Sequence, residues 1–465
     1  MDIQNKSTLW LYQHLHWVWL VLIAPIALVM VFLTPAFQVP DEFSHFAKVD
    51  QVSRGFFMPQ IDGTSDVGNQ TSVCVKKLIE IKGYQSIPFH EEVKVDVITA
   101  NNVRPSNIAW ESGTAFYRNN NTAVYSPTGY AVQAVGLLAA KIMKMNVLSS
   151  FYFSRYFSCM VCVLLTFLAI RNADHGKLLM FIILSLPMTL FEYASLSQDG
   201  ILISATAIGI ALISGTSNTP VAAKRTFIRQ MLGLFMITVL VLGKPPYMFI
   251  LFYFLLDVYL KNRDFRAAVI GFGAMVFTVM VLWILAVAPY VKIPLHSEAN
   301  PALQVAFLKT NPKVLLSVVL PNALKNVSEL SQGMVGILGW LDFRLSDWSY
   351  VLMNGVILTL VIVGLLVSLY KNKYRSLLVI LIAILTLFMI SLSQYITWSP
   401  VGLYRVEGCQ GRYMIPVFLF VAIASNELWV SRQKVLSNLL VMLMVISSLI
   451  VGINALFAIL QRYYM

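Results

Sequence analysis

The sequence predicts an all-α fold, a polytopic bundle of about eleven membrane-spanning helices, from its composition and from its recurring apolar runs. Hydrophobic residues make up 58% of the 465 positions, charged residues make up 12%, and the mean hydropathy is +0.73. Soluble domains carry roughly 25% charged residues, so this composition excludes a soluble globular fold. A helix needs roughly 20 apolar residues to cross a hydrocarbon core about 30 Å thick, and runs near that length recur along the chain.

The expected spans follow one another along nearly the whole chain. Two of them, 230–243 and 246–258, are short, and Pro245-Pro246 between them is compatible with a break inside one hydrophobic hairpin. An even number of spans is therefore left open. In chain order, the expected spans cover residues 17–36, 151–170, 178–193, 199–214, 230–243, 246–258, 267–288, 351–369, 376–393, 413–430 and 436–459.

Lysine and arginine are concentrated in alternate short connections between the expected spans. Because cytoplasmic loops are enriched in these residues, the pattern places the N-terminus in the cytoplasm. The first span is long and no small-x-small cleavage pattern follows it at 37–40, so we expect an uncleaved signal anchor. Three basic residues on the outer side, Lys244, Arg405 and Arg412, break the pattern. The connections account for much of the net charge of +12, and no basic stripe indicates a nucleic-acid partner. The cytoplasmic set comprises Lys6, Arg171, Lys177, Lys224, Arg225, Arg229, Lys261, Arg263, Arg266, Lys371, Lys373, Arg375, Arg432 and Lys434.

Two long segments lie on the outer side within what we take as a single membrane domain, 1–465. The first outer loop, 37–150, is the most polar part of the chain and is too long to be a mere connector. Its ends, 41–58 and 126–145, have the spacing of two juxtamembrane helices suited to the membrane interface, and the stretch between them is irregular. The second outer loop, 289–350, is rich in proline.

The heptapeptide Pro-Asp-Glu-Phe-Ser-His-Phe at residues 40–46 follows the first span directly. On a helix, Asp41, His45 and Lys48 share one face, whereas Glu42 points elsewhere. One interpretation is that a proline and two acids simply begin a helix and complement its dipole. Carboxylates beside aromatic residues at a membrane boundary are costly, however, which favours a functional role.

With these residues in place, the chain resembles the GT-C glycosyltransferases, and in particular the bacterial family of predicted membrane proteins known as domain of unknown function 2142. The motif Pro40-Asp41-Glu42 with His45 carries the resemblance at the first outer loop. One departure is Ser197-Gln198, where smaller residues are expected. Further matches occur in order along the chain at Tyr125-Ser126-Pro127, Arg155, Leu186-Pro187-Met188, Asp199, Lys244-Pro245-Pro246-Tyr247, Gly339-Trp340-Leu341-Asp342 and Gln410-Gly411-Arg412-Tyr413.

The resemblance implies an inverting glycosyltransferase of the hexosyltransferase class, in the bacterial inner (plasma) membrane, with its active site on the periplasmic face. The donor would be a sugar linked to polyprenyl phosphate, such as undecaprenyl phosphate. The acceptor would be a cell-surface glycan such as the O-antigen of lipopolysaccharide. The catalytic residues would be Asp41, as the general base, with Glu42 and His45.

Basic and aromatic residues of the outer side complete the expected site. Fixed cations stabilise a leaving phosphate, so we expect donor-phosphate binding by Lys244, Arg405 and Arg412. Substrate positioning is expected of Asp199, Tyr247 and Trp340. Each has an ordinary alternative: the cations could snorkel at helix ends, the acid could cap a helix, and the rings could belong to an aromatic belt. No cofactor is expected, and a divalent cation at the catalytic acids and histidine is left open.

Two other functions remain as alternatives. A polytopic transporter or flippase of lipid-linked saccharides would place ionisable groups near the bilayer midplane, often in broken helices related by a repeat. Here the ionisable groups cluster at the ends of spans, and no repeat is visible. A non-catalytic subunit of a glycan assembly complex could carry the same fold without turnover.

The four cysteines carry little functional information. Cys159 and Cys162 fall inside an apolar run, where packing is the ordinary role despite their spacing. Cys74 and Cys409 both fall in outer segments, and the sequence leaves open whether they pair in an oxidising compartment.

Overall fold

Long apolar helices dominate the computed structural model, which describes residues 10–63, 66–98, 104–214, 220–295, 298–424 and 434–465. Within these ranges, seven helices are long and apolar enough to cross a bilayer, and a sharply bent pair raises the count to eight if it forms one span. The chain is therefore a multi-pass, predominantly helical membrane protein. The seven are Leu15–Leu33, Val147–Asn172, Ala223–Gly243, Arg263–Val291, Asp347–Lys371, Lys373–Thr397 and Ser437–Tyr463.

The first of these spans is continuous across two α-helices, because a π-helical turn at Trp19–Ile23 joins them. The α-helices are Trp10–Gln13 (α1), Leu15–Val18 (α2), Ala24–Leu33 (α3), Glu42–Ser53 (α4), Val73–Ile79 (α5), Lys82–Gln85 (α6), Asn120–Ala123 (α7), Ala131–Ile142 (α8), Val147–Asn172 (α9), Lys177–Leu184 (α10), Pro187–Tyr193 (α11), Asp199–Ile213 (α12), Pro220–Gly243 (α13), Met248–Lys261 (α14), Arg266–Val291 (α15), Pro301–Thr310 (α16), Leu320–Glu329 (α17), Ser331–Gly336 (α18), Asp347–Lys371 (α19), Lys373–Thr397 (α20), Ile415–Val421 (α21) and Lys434–Tyr463 (α22).

Three of the eleven expected spans are shorter than a bilayer-crossing helix, and a fourth lies only partly within the described residues. The run 178–193 is divided at Pro187 into α10 and α11, and 199–214 forms α12, of 15 residues. The run 246–258 forms α14, of 14 residues, and 413–430 continues beyond the described residues after α21. Nearly every side chain of α10, α11 and α12 is buried by other helices. Their apolar character reflects the interior of the bundle rather than contact with lipid, which sequence periodicity does not distinguish.

The basic connections lie together at one end of the bundle. Arg229 after α12 donates a hydrogen bond to the Asn172 carbonyl at 3.0 Å, and Arg375 donates to the Tyr253 hydroxyl at 3.3 Å. Burial lowers the pKa of His175 in the connection between α9 and α10, and the nearby Arg375 lowers it further. Connections that the charge pattern assigned to one side thus converge, although Lys6 and Arg432 lie outside the described residues.

The first outer loop contains a small sheet that the sequence did not predict. Strands β1 (Gln60–Asp62), β2 (Asp66–Ser72) and β3 (Thr114–Arg118) pair antiparallel in the order β1-β2-β3. The prediction of an irregular middle stretch was therefore wrong. The strands are short, and β2 contains Asp66 and Asn69, residue types that are depleted in strands.

Helix α4 is more deeply buried than the prediction of an interfacial helix implied. It begins at Glu42, ends at Ser53 and is followed by Gly55 with a φ of +81°. Phe46 and Val49 are fully buried in a cluster that also includes residues of α5 and α8. The apolar side of α4 therefore contacts protein, and the helix is a fixed element of the fold. The second expected helix is present as α8.

The second outer loop is also more structured than expected. Helices α16 and α17, the latter preceded by a π-helical turn at Leu315–Val319, form a pair bent by 107°. Such a pair is either a broken span or a re-entrant segment. Helix α18 and a two-stranded hairpin, β4 (Ile337–Leu338) and β5 (Phe343–Arg344), follow it.

A fully buried ion pair holds the start of α4 against the spanning helix α9. Arg155 Nε donates to Glu42 Oε1 at 2.8 Å, and Arg155 Nη2 contacts Glu42 Oε2. Arg155 Nη1 also donates to the Thr34 carbonyl at 2.8 Å, and the Glu42 carboxylate accepts hydrogen bonds from the backbone N–H groups of Phe37 and Leu196. A buried ion pair needs such additional partners to offset desolvation.

Replacing Arg155 by methionine should destabilise the protein strongly, because it leaves the Glu42 charge buried and unpaired. We expect a loss of about 3–5 kcal/mol, typical of breaking a buried pair. The measurement is the thermal unfolding midpoint in detergent, followed with a thiol-reactive dye that reports exposure of the buried Cys74, Cys159 and Cys162. The control Arg344→Gln removes a half-exposed cation and should cost less than about 1 kcal/mol. Equal midpoints in the two variants would contradict the structural role.

Candidate functional site

A small polar cavity lies at the end of the bundle opposite to the basic connections. It is surrounded by the start of α4, helix α7, the start of α12, the residue after α13 and the turn before α21. Its volume is about 30 Å³, room for roughly one water molecule. We call it the polar cavity. Its walls are formed by Asp41, His45, Asn121, Thr122, Tyr125, Gln198, Asp199, Lys244, Arg412 and Tyr413.

Asp41 directly precedes α4, and it lies in the wall of the polar cavity. It adopts a left-handed conformation, with a φ of +61°, at the position before the first helical residue. Asn121 Nδ2 donates to Asp41 Oδ1 at 2.8 Å, and Asp41 makes no ion pair with any residue that the structure describes. Burial raises the pKa of Asp41 above its ordinary value, with Arg412 opposing the shift. Aspartate is one of the few non-glycine residues that tolerate this conformation, which fixes the direction of its carboxylate.

His45, one helical turn further along α4, is buried in the same wall. Its Nδ1 lies 2.8 Å from the Tyr130 hydroxyl, and burial lowers the pKa of His45 to about 3, so the ring is neutral at physiological pH. Lys48, the third residue on this face in the sequence, is directed away from the cavity. Its ammonium donates to the Ala123 carbonyl at 2.8 Å, and burial lowers the pKa of Lys48 to about 7.

The opposite wall holds two cations, each with an acidic partner. Lys244 Nζ lies 2.5 Å from Asp199 Oδ1 and 4.3 Å from the centroid of the Tyr413 ring. Arg412 Nη1 donates to Glu192 Oε1 at 2.8 Å, and Arg412 Nε lies 3.2 Å from Asp199 Oδ2. All four charged groups are largely buried. Asp199 and Glu192 hold Lys244 and Arg412 in place, so the two cations have fixed positions in the wall of the polar cavity.

Two glycines next to cavity residues allow close contact between backbone segments. Gly411 contacts α18, and Gly200 contacts the end of α11. A Cβ at Gly411, beside Arg412, would lie 2.2 Å from the backbone of Gly333 and Met334 in α18. A Cβ at Gly200, beside Asp199, would lie 2.7 Å from the Glu192 carbonyl oxygen. Glycine at both positions is required by close packing of backbone on backbone.

An apolar cavity adjoins the polar cavity beside the 3₁₀ turn Pro245–Tyr247. Its volume is about 110 Å³, and it shares Tyr125, Lys244 and Tyr413 with the polar cavity. We call it the apolar cavity. Tyr247, expected to position substrate, lies in its wall and donates a hydrogen bond from its hydroxyl to the Tyr413 carbonyl at 2.8 Å. The remaining walls are formed by Gly243, Pro245, Pro246, Ile390, Ser393 and Gln394.

Two charged residues expected in the site lie outside both cavities. Glu42, expected to be catalytic, is committed to the buried pair with Arg155. Arg405, expected to bind phosphate, has a side chain 73% exposed and pairs with Glu407 at 2.5 Å. A solvated cation already paired with a local acid contributes little electrostatic stabilisation to a distant reaction.

Trp340 is likewise remote from the cavity walls. Its indole Nε1 donates to the Phe37 carbonyl at 3.0 Å, and its ring packs against Phe43 and Phe89. The neighbouring Asp342 pairs with Arg462 at 2.9 Å. The motif from Gly339 to Asp342 therefore fastens the second outer loop to α4 and to the last helix.

Three cavity or network residues were not predicted to function. Gln198 is buried, and neither its amide oxygen nor its amide nitrogen has a hydrogen-bond partner among the described residues. Unpartnered buried amides are costly, so this one is available to a ligand. Glu192 could have been found, because an acid inside the apolar run 178–193 is an expected functional signal. Asn121 carries no such signal in the sequence.

No group of three or more histidine, cysteine, aspartate or glutamate side chains is placed to hold a metal ion within the described part of the chain. The possibility of a divalent cation shared by Asp41, Glu42 and His45 loses one of its three groups, since Glu42 is directed elsewhere. All four cysteines are free thiols, so Cys74 and Cys409 are not paired.

Replacing Gly411 by alanine should displace the adjoining Arg412, since the new Cβ would collide with the backbone of α18. We expect the unfolding midpoint in detergent to fall, with a cost of about 1–3 kcal/mol that is typical of overpacking. The matched control is Gly271→Ala, because a Cβ at Gly271 in α15 meets nothing within 4 Å. That variant should be neutral or slightly stabilised by helix propensity. A midpoint for Gly411→Ala as high as that of Gly271→Ala would contradict the close packing.

The model of a family described as "Predicted membrane protein (DUF2142)" matches residues 25–421, a range that includes every residue in the walls of the polar cavity. No curated protein and no solved structure matches the chain. Because the match covers most of the sequence, the chain belongs to this family of predicted membrane proteins, DUF2142.

Proposed function

We propose that this protein is a membrane glycosyltransferase that transfers a sugar, with inversion, from a polyprenyl-phosphate donor such as undecaprenyl phosphate to a glycan acceptor. One observation carries the proposal. In the polar cavity, Asp41, a carboxylate with no ion pair to any residue that the structure describes, lies together with two buried and fixed cations, Lys244 and Arg412. A general base and a cationic site for a leaving phosphate are the two groups that this reaction needs.

In the proposed reaction, the oxygen of an acceptor hydroxyl attacks the anomeric carbon of the donor sugar. The bond from that carbon to the phosphate oxygen breaks, and its electron pair leaves with the phosphate. The hydroxyl proton passes to a carboxylate oxygen of Asp41. Burial raises the pKa of Asp41, which makes it a stronger base than an exposed aspartate. Such proton transfer contributes on the order of 10²–10⁴ in rate.

The charges in the cavity favour this step. As the phosphodiester becomes a phosphomonoester it gains one negative charge, and Asp41 loses one when it accepts the proton. The total charge is unchanged, so the reaction moves charge from the base towards Lys244 and Arg412. Both cations are held by Asp199 and Glu192, so they need little reorganisation as the charge arrives.

The lipid part of the donor is assigned to the apolar cavity. Pro245, Tyr247 and Ile390 line it, and Lys244 stands at its border with the polar cavity. A prenyl phosphate placed across this border would have its chain on apolar walls and its phosphate beside the ammonium group. The polar cavity holds about one water, so the sugar enters only when the cavity walls separate.

The acceptor side follows from the charge pattern of the connections. If the end with the basic connections faces the cytoplasm, the polar cavity opens at the outer face of a bacterial inner membrane. The acceptor is then a cell-surface glycan, for which the O-antigen of lipopolysaccharide is the expected class. Gln198, with its unpartnered amide, is proposed to bind a sugar hydroxyl.

One observation favours the alternative of a transporter or flippase for lipid-linked saccharides. The ion cluster of Asp199, Lys244 and Arg412 lies at the start of the short helix α12, beside the broken pair α10 and α11. Transporters often bind substrate at such discontinuous helices. A transporter would keep donor and acceptor intact, which separates the two functions by experiment.

The test compares the wild-type protein with Asp41→Asn in detergent, using a panel of undecaprenyl-phosphate sugars and glycan from a strain that lacks the protein. We expect transfer from one donor by the wild type and a reduction of at least 10²-fold in Asp41→Asn, because the amide cannot accept the proton. The control Asp347→Asn changes an exposed carboxylate and should keep full activity. If every donor stays intact in detergent while the protein in sealed proteoliposomes flips or takes up the lipid-linked saccharide, the protein is a transporter.

The pH dependence gives a second test. The base is active only when ionised, and burial raises the pKa of Asp41, so the acid limb of kcat/KM should lie above the ordinary carboxyl value of about 4. His45, with a pKa of about 3, stays neutral through the assay range and should add no limb between pH 5 and 8. A limb near pH 6.5 that disappears in His45→Gln would assign the proton transfer to His45 instead.

A further inference from the structure

A larger cavity lies at the far end of α4, away from the polar cavity. Its volume is about 500 Å³, within the range of small-molecule sites. We call it the basic groove. Its walls are formed by Arg54, Ala109, Trp110, Glu111, Lys141, Lys144, Met145 and Asn146.

Positive charge is in excess around the basic groove. Lys141 and Arg54 share a single buried acid, Asp50, at 2.9 and 3.3 Å. Glu111 in the wall pairs with Lys77, which is not a wall residue, at 2.8 Å. Lys144 is exposed and makes no ion pair with any described residue. Three cations, Arg54, Lys141 and Lys144, thus face the one acid Asp50, and among the described residues the groove keeps an excess of positive charge that favours an anionic ligand.

The groove is at the level of lipid headgroups. Asn146 immediately precedes the spanning helix α9, whose 26 residues give a length of about 39 Å. This exceeds a hydrocarbon core of about 30 Å, and the polar layers add roughly 5–7 Å on each side. The start of α9, and the groove beside it, consequently fall within a polar layer.

An apolar strip leads from the groove along α8. Val135, Leu138 and Ile142 are 52%, 41% and 82% exposed and lie one helical turn or two apart on one face. Helix α8 runs beside the outer turns of α9, where Ser154 Oγ donates to the Gln133 carbonyl at 2.7 Å. An exposed apolar strip beside a spanning helix is suited to contact with lipid acyl chains.

We propose that the basic groove binds the phosphate headgroup of an anionic membrane lipid, with the acyl chains along the apolar strip of α8. A neutral sugar is a poorer fit, because the Lys141 ammonium covers one face of the Trp110 ring at 4.1 Å. The Trp110 indole is itself fixed by donating to Ser150 Oγ at 3.1 Å.

The experiment is native mass spectrometry of the delipidated full chain in detergent, with four probes: phosphatidylglycerol, phosphatidylcholine, undecaprenyl phosphate and glycerol 3-phosphate. We expect saturable binding of phosphatidylglycerol and weaker binding of the zwitterionic phosphatidylcholine. Replacing the exposed Lys144 by glutamine should weaken phosphatidylglycerol binding about fivefold, the effect of one cation at a membrane surface, and Lys144→Glu should weaken it further. The control Lys309→Gln, an exposed lysine on α16, should bind as the wild type.

Each remaining outcome either contradicts the proposal or identifies which lipid supplies the phosphate headgroup. Equal binding of the two phospholipids, or phosphatidylglycerol binding unchanged in both Lys144 variants, would overturn it. Binding of glycerol 3-phosphate as tight as that of the lipid would also overturn it, because the acyl chains would then contribute nothing. Preference for undecaprenyl phosphate that depends on Lys144 would support a headgroup site and assign it to the carrier lipid. None of these readouts requires transferase activity.

Discussion

The buried pair of Glu42 and Arg155 is the interaction on which the geometry of the site depends. The carboxylate that begins α4 meets an arginine from a spanning helix 113 positions later, and both side chains are fully buried. The backbone partners that surround the pair help to offset the cost of removing both charges from water. Because Asp41 immediately precedes Glu42, the pair also fixes the orientation of the carboxylate in the polar cavity. Adjacent acids thus have different roles, one structural and one directed into the cavity.

The helical fold could be predicted from composition and from the length of apolar runs, but the number of spans could not. The runs 178–193 and 199–214 are as apolar as lipid-facing helices, yet they fill the interior of the bundle. Hydropathy measures the preference for any non-aqueous surrounding, so it gives the same signal for lipid and for protein. The strand at Asp66–Ser72 was missed because its polar residues have low strand propensity and depend on pairing with β3.

Residues of the candidate site could be predicted where a charge conflicted with its surroundings in the sequence. Lys244 and Arg412 break the charge pattern of the connections, and Asp199 begins an apolar run; the structure brings all three together. Arg405 broke the same pattern but pairs with Glu407 in solvent, since sequence does not report burial. Gln198 entered the candidate site only because its buried amide has no hydrogen-bond partner among the described residues, a property that no local sequence pattern contains.

The left-handed backbone of Asp41 restricts which residues this position can accept. Most non-glycine residues rarely adopt that conformation, β-branched residues least of all. Asparagine and aspartate tolerate it better than the others. Glutamate would offer the same acid with one more methylene, yet it would have to adopt a backbone that it rarely adopts. The reach of the carboxylate into the cavity is therefore set by the main chain, and the usual exchange of aspartate for glutamate is not conservative here.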